Sequence, residues 1–163
     1  MNFLSVNKPV PFLFILVFAG ILWGGQYMMR DLWEPDEARY TYVAREMDQS
    51  GSWLVPMRNG ETYAHKPPLM FWLIKAGTVF TDGEYNGVSG RFPTFMGILL
   101  SLWMISRLAL MWFDPQTAWR TVFILSTSIL FWLKAGMGQI DMLLLGLEMS
   151  ALYFLFTHEK PYS

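Results

Sequence analysis

The 163-residue chain is 53% apolar and 17% aromatic but only 15% charged, whereas soluble domains carry about a quarter charged residues. A net charge of −1 lacks the basic footprint of nucleic-acid binding, and the absence of cysteine excludes disulfides and thiolate metal sites. The length suits one small domain or about four to five membrane helices.

In chain order, the first apolar block has no charge between Lys8 and Arg30, enough to cross a hydrocarbon core of about 30 Å. It is longer than a signal-peptide core and no Ala-x-Ala-like site ends it, so residues 10–29 are expected to be a retained anchor. A large loop over residues 30–91 follows. Pro35 suits the first turn of a helix there, and Asp36 and Glu37 suit its positive end. Tyr40, Val43, Ala44 and Met47 recur at helical spacing, with Arg39, Arg45, Glu46 and Asp48 elsewhere on the wheel and Ser50-Gly51 as the stop. This predicts an amphipathic helix along the membrane surface. After a turn at Arg58-Asn59-Gly60, the apolar stretch 67–80, interrupted by Lys75, is too short to cross and predicts a second interfacial helix.

Further crossings are expected at residues 92–113, 117–134 and 141–157. Asp114-Pro115 joins the first pair, and the glycines of 134–141 suit a tight turn between the next. Arg107 lies near a helix end and can snorkel. Glu148, roughly two turns inside the last crossing, is expected to face the bundle or water. The predicted fold is therefore an all-α membrane protein with four transmembrane helices and two interfacial helices in its first loop. Lys8, Arg107, Arg120, His158 and Lys160 fall on one side and Lys134 on the other. The positive-inside rule then places the N-terminus in the cytoplasm and the loop outside, as in a bacterial inner-membrane protein.

This topology puts Asp141 on the membrane face that holds Asp36 and Glu37. Carboxylates gathered at one interface can orient or deprotonate an acceptor, or hold a divalent cation; equally, each can cap a helix N-terminus. Lys66 precedes two prolines at headgroup level, where an ammonium neutralises a lipid phosphate and Arg39 or Arg58 adds bidentate contacts. The plainer alternative is a snorkelling lysine. His65 is a candidate metal ligand or proton carrier, although a lone histidine is a weak signal. Trp33, Tyr40, Tyr42, Trp53, Tyr63 and Trp72 fit an interfacial aromatic belt, and some suit stacking on a sugar.

The run Leu32-Trp-Glu-Pro-Asp-Glu-Ala-Arg-Tyr40 is followed by Arg45-Glu-Met47, Ser50-Gly-Ser-Trp53 and Val55-Pro56. Asn59-Gly-Glu-Thr-Tyr63, His65-Lys-Pro-Pro-Leu69 and Phe71-Trp72 come next. Together they resemble the first loop of the C-type (GT-C) membrane glycosyltransferases related to lipid A aminoarabinose transferases and protein O-mannosyltransferases. The resemblance is strong over residues 20–92 and looser beyond, where Arg91 and Gln139-Ile140-Asp141-Met142 also fit. It implies transfer of a sugar from a polyprenyl-phosphate donor to a lipid, glycan or protein acceptor at the extracytoplasmic face, as in lipopolysaccharide modification. Asp36 matches the acidic residue central to catalysis, Glu37 its neighbour and Asp141 the second acidic position. Lys66 matches the lysine associated with the carrier phosphate, and Arg39 the arginine after the acidic pair. His65 stands where the aminoarabinose transferases tend to have glutamate, which argues against a metal role at that position; a divalent cation as cofactor is left open. Family members are several times longer, so the chain reads as the N-terminal third of such an enzyme and is expected to be inactive alone. The alternative class is a polytopic protein that binds lipid-linked sugar, or an assembly subunit, without catalysis.

Overall fold

A computed structural model describes residues 8–33 and 35–158. Among these, three helices are long and apolar enough to cross a membrane: α1 (Phe12–Met29), α4 (Gly87–Trp112) and α7 (Ile140–His158). Between α1 and α4 lie α2 (Asp36–Ser50), the strands β1 (Met57–Arg58) and β2 (Glu61–Thr62), and α3 (Leu69–Gly77) with a 3-10 turn at its end. After α4 come α5 (Pro115–Thr127) and α6 (Ile129–Ala135).

In α1, Ile15, Ala19, Trp23 and Tyr27 form a buried stripe at four-residue spacing, which turns one side of an otherwise uniformly apolar helix toward the bundle. Trp23 meets Phe131 edge-on at 5.9 Å, and the Tyr27 hydroxyl donates to the Ala135 carbonyl. The α4–α7 contact is set by small residues. A Cβ on Gly97 would collide with the Met142 backbone, and one on Gly146 would sit 3.0 Å from the Gly97 carbonyl. Close backbone approach of this kind is how helices associate in lipid.

The expected crossing at 117–134 is not one helix. It breaks at Ser128, whose ψ of 136° is extended. Ser126, Thr127 and Ser128 each return a hydroxyl to a carbonyl one turn back, at Phe123 (3.0 and 2.7 Å) and Leu125 (2.9 Å). Such back-bonding competes with the helical ladder and bends it. The two pieces still join both ends of the bundle. The Trp119 indole donates to the Lys8 carbonyl at one end, and Arg30 reaches the Gly136 carbonyl, at 2.6 Å, at the other.

α4 begins five residues before the apolar run suggested. Asn86 caps it, accepting from the Val88 and Ser89 amides, while the Ser89 hydroxyl accepts from the Asn86 N–H. That early start brings Arg91 into the helix.

The loop has a core of its own. Tyr40, Val43, Ala44 and Met47 of α2 pack on Met70, Phe71 and Ile74 of α3, so the stripe read as membrane-facing is covered by protein. Gly51 ends α2 in the left-handed conformation (φ 69°) that a helix stop favours. Asn59 and Gly60 both have positive φ, the pattern of a tight hairpin turn, and the Glu46 carboxylate accepts both amides. Lys75, which interrupts α3, pairs with Asp48 of α2, and the Tyr85 hydroxyl donates to that carboxylate at 2.9 Å. Glu148 does not face the bundle of the described residues: it is exposed, opposite the side on which Gly146 meets α4. Lys160, counted in the charge asymmetry, lies outside the described residues.

Candidate active site

The site begins with a buried ion pair between Glu37 and Arg91, two residues whose pairing the sequence pattern does not reveal. Arg91 is fully buried in α4 and its five N–H groups all have acceptors. Nε and one Nη2 hydrogen go to the Glu37 carboxylate (3.3 and 2.6 Å), and the rest to the carbonyls of Tyr27, Arg30 and Asp31 (3.3, 2.7 and 2.6 Å). Arg91 thus closes the C-terminal end of α1 and grips the first turn of α2. A basic group there also complements the negative end of the helix dipole.

Glu37, 2% exposed, accepts from Arg30 (3.3 Å), the Trp33 amide (2.7 Å) and the Gly138 amide (2.5 Å) as well. The sequence places Glu37 in the catalytic set; its oxygens are taken up by these donors, and it ties α1, α2, α4 and the α6–α7 turn together. Neither Asp36 nor Glu37 caps α2. Burial by itself disfavours a charged Glu37; the Arg91 hydrogen bonds and the Trp33 and Gly138 amides outweigh it and hold its pKa below the ordinary 4.5. The Lys75 ammonium likewise holds Asp48 below 3.8. Both folded-state values are depressed, so their contribution is complete above the unfolded values and is lost as pH falls through the folded ones. The loop's resistance to proteolysis in detergent is therefore expected to be flat from neutral pH to about 5 and to fall below about pH 4. Resistance that fell between pH 7 and 5 would contradict this assignment.

Asp36, the next residue round the helix, is one-third exposed. Oδ1 pairs with Arg39, and Oδ2 accepts from Gln139 Nε2 at 3.3 Å. Gln139 Oε1 accepts from Lys134 Nζ at 2.8 Å, and the same ammonium lies 2.7 Å from Asp141 Oδ2. The two acidic positions, far apart in sequence, are therefore joined through an amide and an ammonium. Beside them a small cleft of about 200 Å³ opens between Trp33, Asp36, Glu37 and Gln139.

On the far side of Arg39 is an open cleft of about 870 Å³. Arg39 from α2, Arg58 from β1 and Lys66 before α3 line it, with Tyr40, Tyr63 and His65; Glu61 is its one carboxylate. The loop core sets this up: the hairpin turn carries Arg58, buried Tyr63 packs on Phe71, and His65 meets Tyr63 edge-on at 5.1 Å. Three cations around one acid suit a phosphate, which Arg binds bidentately and Lys as a point charge. Among the described residues no group of three or more His, Asp or Glu is gathered to hold a metal ion.

Arg91, Lys134, Gln139 and Gly138 were not singled out as site residues. The Asn86-x-x-Ser89 capping box was the available signal for Arg91, because it moves the helix start upstream of that arginine. Gly138 has no local signal. A Cβ there would meet Glu37 Cγ, the Gly90 carbonyl and Arg91 Cγ at 3.2–3.3 Å, so these neighbours would have to give by a few tenths of an ångström.

Residues 65–162 match the family described as dolichyl-phosphate-mannose-protein mannosyltransferase. The chain is 32% identical over 158 residues to the undecaprenyl phosphate-alpha-4-amino-4-deoxy-L-arabinose arabinosyl transferase of Shewanella sediminis, covering 93% of this chain and 27% of that protein. The protein of the same description from Edwardsiella ictaluri is 37% identical over 112 residues, 68% of this chain and 19% of its own length. The crystal structure of ArnT from Cupriavidus metallidurans bound to undecaprenyl phosphate superposes with a TM-score of 0.82 at 26% identity. That match covers 93% of this chain and 28% of ArnT, and the apo form gives 0.80. The chain thus spans about a quarter of the length of these relatives. Its apolar helices and the shared fold make it an integral membrane protein. With the family match extending over more than half of its residues, the chain belongs to the dolichyl-phosphate-mannose-protein mannosyltransferase family.

Proposed function

We propose that this protein is a membrane glycosyltransferase, or the part of one that binds the donor, taking a sugar from a polyprenyl-phosphate carrier. The observation that carries this reading is the cleft in which Arg39, Arg58 and Lys66 surround a single carboxylate, next to Asp36. The three cations hold the carrier phosphate and stabilise the charge that develops on it as the sugar leaves. Asp36 orients the acceptor and, where that is a hydroxyl, takes its proton. An acceptor phosphate needs no base, and Asp36 then only positions it. Direct displacement inverts the anomeric centre.

The relatives' descriptions make undecaprenyl phosphate-linked 4-amino-4-deoxy-L-arabinose the first donor to try, with lipid A, glycan and protein as acceptor classes. Lys8, Arg107, Arg120 and His158 lie toward one end of the bundle. The positive-inside rule supports a cytoplasmic N-terminus there, with the site on the extracytoplasmic face of a bacterial inner membrane.

The test is sugar transfer from a polyprenyl-phosphate donor by the protein in its native membranes. Lys66→Ala is expected to lower transfer by about 10- to 100-fold, the value of hydrogen bonds to a charged group. Transfer that survives Lys66→Ala overturns the reading. Carrier binding by the wild type with no transfer to any acceptor identifies the non-catalytic binder instead.

A further inference from the structure

We propose that Gln139 is a positioning residue that fixes the plane of Asp36 and couples it to Asp141 through Lys134. The inference rests on reading Asp36 as the acceptor-side group. A glutamine amide has donors on one end and an acceptor on the other. Both ends are claimed here: Nε2 donates to Asp36 Oδ2, and Oε1 accepts from Lys134 Nζ. An ammonium only donates, so Lys134 dictates which way the amide faces. The flipped amide would set N–H against an ammonium and oxygen against a carboxylate. Asp141 keeps Lys134 in place at 2.7 Å.

The backbone under Gln139 is clamped as well. The Thr94 hydroxyl, fully buried, lies 2.9 Å from the Met137 carbonyl and 3.1 Å from that of Gln139. Gly138 N–H is held by Glu37. An amide whose backbone is held at its own carbonyl and at the two residues before it, and whose two side-chain ends are both bonded, holds its partner in one orientation. With Arg39 on Oδ1 and Gln139 on Oδ2, Asp36 has both oxygens located and its remaining lone pairs open to the small cleft. Asp141 then acts on Asp36 through Lys134 and Gln139 rather than by touching substrate. The carrier cleft lies on the other side of Arg39, so this bridge governs turnover and not carrier binding.

Two measurements test it. The first needs no activity. The chain, labelled with 15N in its four glutamine side chains (26, 49, 116 and 139) and held in nanodiscs, gives a Gln139 amide signal identified by its loss in Gln139→Leu. That signal is expected to shift in Asp36→Asn and in Lys134→Met; a signal unmoved by both overturns the bridge. The second is kinetic. Gln139→Leu is expected to lower kcat about 10- to 100-fold with the carrier KM unchanged, as for a lost hydrogen bond to a charged group. Combining it with Lys134→Met is expected to lose no more than the worse single variant. Full additivity, or an equal loss in carrier affinity, overturns the coupling. A wild type that transfers no sugar would sink the functional reading alone, because the amide signal still decides the bridge.

Discussion

Arg91→Met is expected to destabilise the protein by about 3–5 kcal/mol, the usual cost of breaking a buried ion pair from one side. The pair qualifies because Arg91 is 0% and Glu37 2% exposed. Methionine fills much of the same volume, so the loss is electrostatic. The substitution leaves the carbonyls of Tyr27, Arg30 and Asp31 without their shared donor and removes two hydrogen bonds from the buried Glu37 carboxylate. Unsatisfied buried groups of this kind are expensive. Thermal unfolding in detergent measures the loss, and protease nicking in the loop is expected to appear below the global transition. Adding Glu37→Leu is expected to restore part of the stability, because the uncompensated charge goes with it. A destabilisation under about 1 kcal/mol would show that the network does not anchor the loop.

Asp36→Asn is expected to lower sugar transfer by about 10²- to 10⁴-fold, the usual range for a general base. Asparagine keeps the shape of the side chain but cannot take up an acceptor proton at neutral pH. It also gives up the negative charge beside Arg39, which frees that guanidinium to bind the carrier phosphate. Carrier affinity should therefore hold or tighten while turnover collapses. A merely structural Asp36 would lose both together, and a phosphate acceptor would leave a far smaller loss, since no proton has to move.

Much of this arrangement was legible in the chain. The apolar run of α1, the stripe of α2, the stop at Gly51 and the Asn59-Gly60 turn follow from periodicity and turn chemistry. Counting helices placed Asp141 on the face of Asp36, where Gln139 and Lys134 join them. Arg39, Arg58 and Lys66 line one cleft although they come from a helix, a strand and the turn before α3. What escaped was set by tertiary contact. Adjacent carboxylates on a helix point about 100° apart, so Asp36 and Glu37, alike in sequence, differ in burial: Asp36 is one-third exposed and Glu37 is sealed by Arg91. The break at Ser128 depends on three hydroxyls acting together against an otherwise apolar run. The stripe of α2 predicted the right face, but periodicity alone does not say whether lipid or α3 covers it. Glu148, exposed on the outer side of α7, faces nothing among the described residues that would have been legible at all.

The central claim is that the cleft of Arg39, Arg58 and Lys66 holds the carrier phosphate while Asp36 serves the acceptor. Its most direct measurement is polyprenyl-phosphate binding to the protein in nanodiscs of zwitterionic lipid, comparing wild type, Lys66→Ala and Asp36→Asn. The account predicts saturable binding that weakens about 10- to 100-fold in Lys66→Ala and is undiminished in Asp36→Asn. Equal binding by all three, or binding lost in Asp36→Asn and kept in Lys66→Ala, would contradict it.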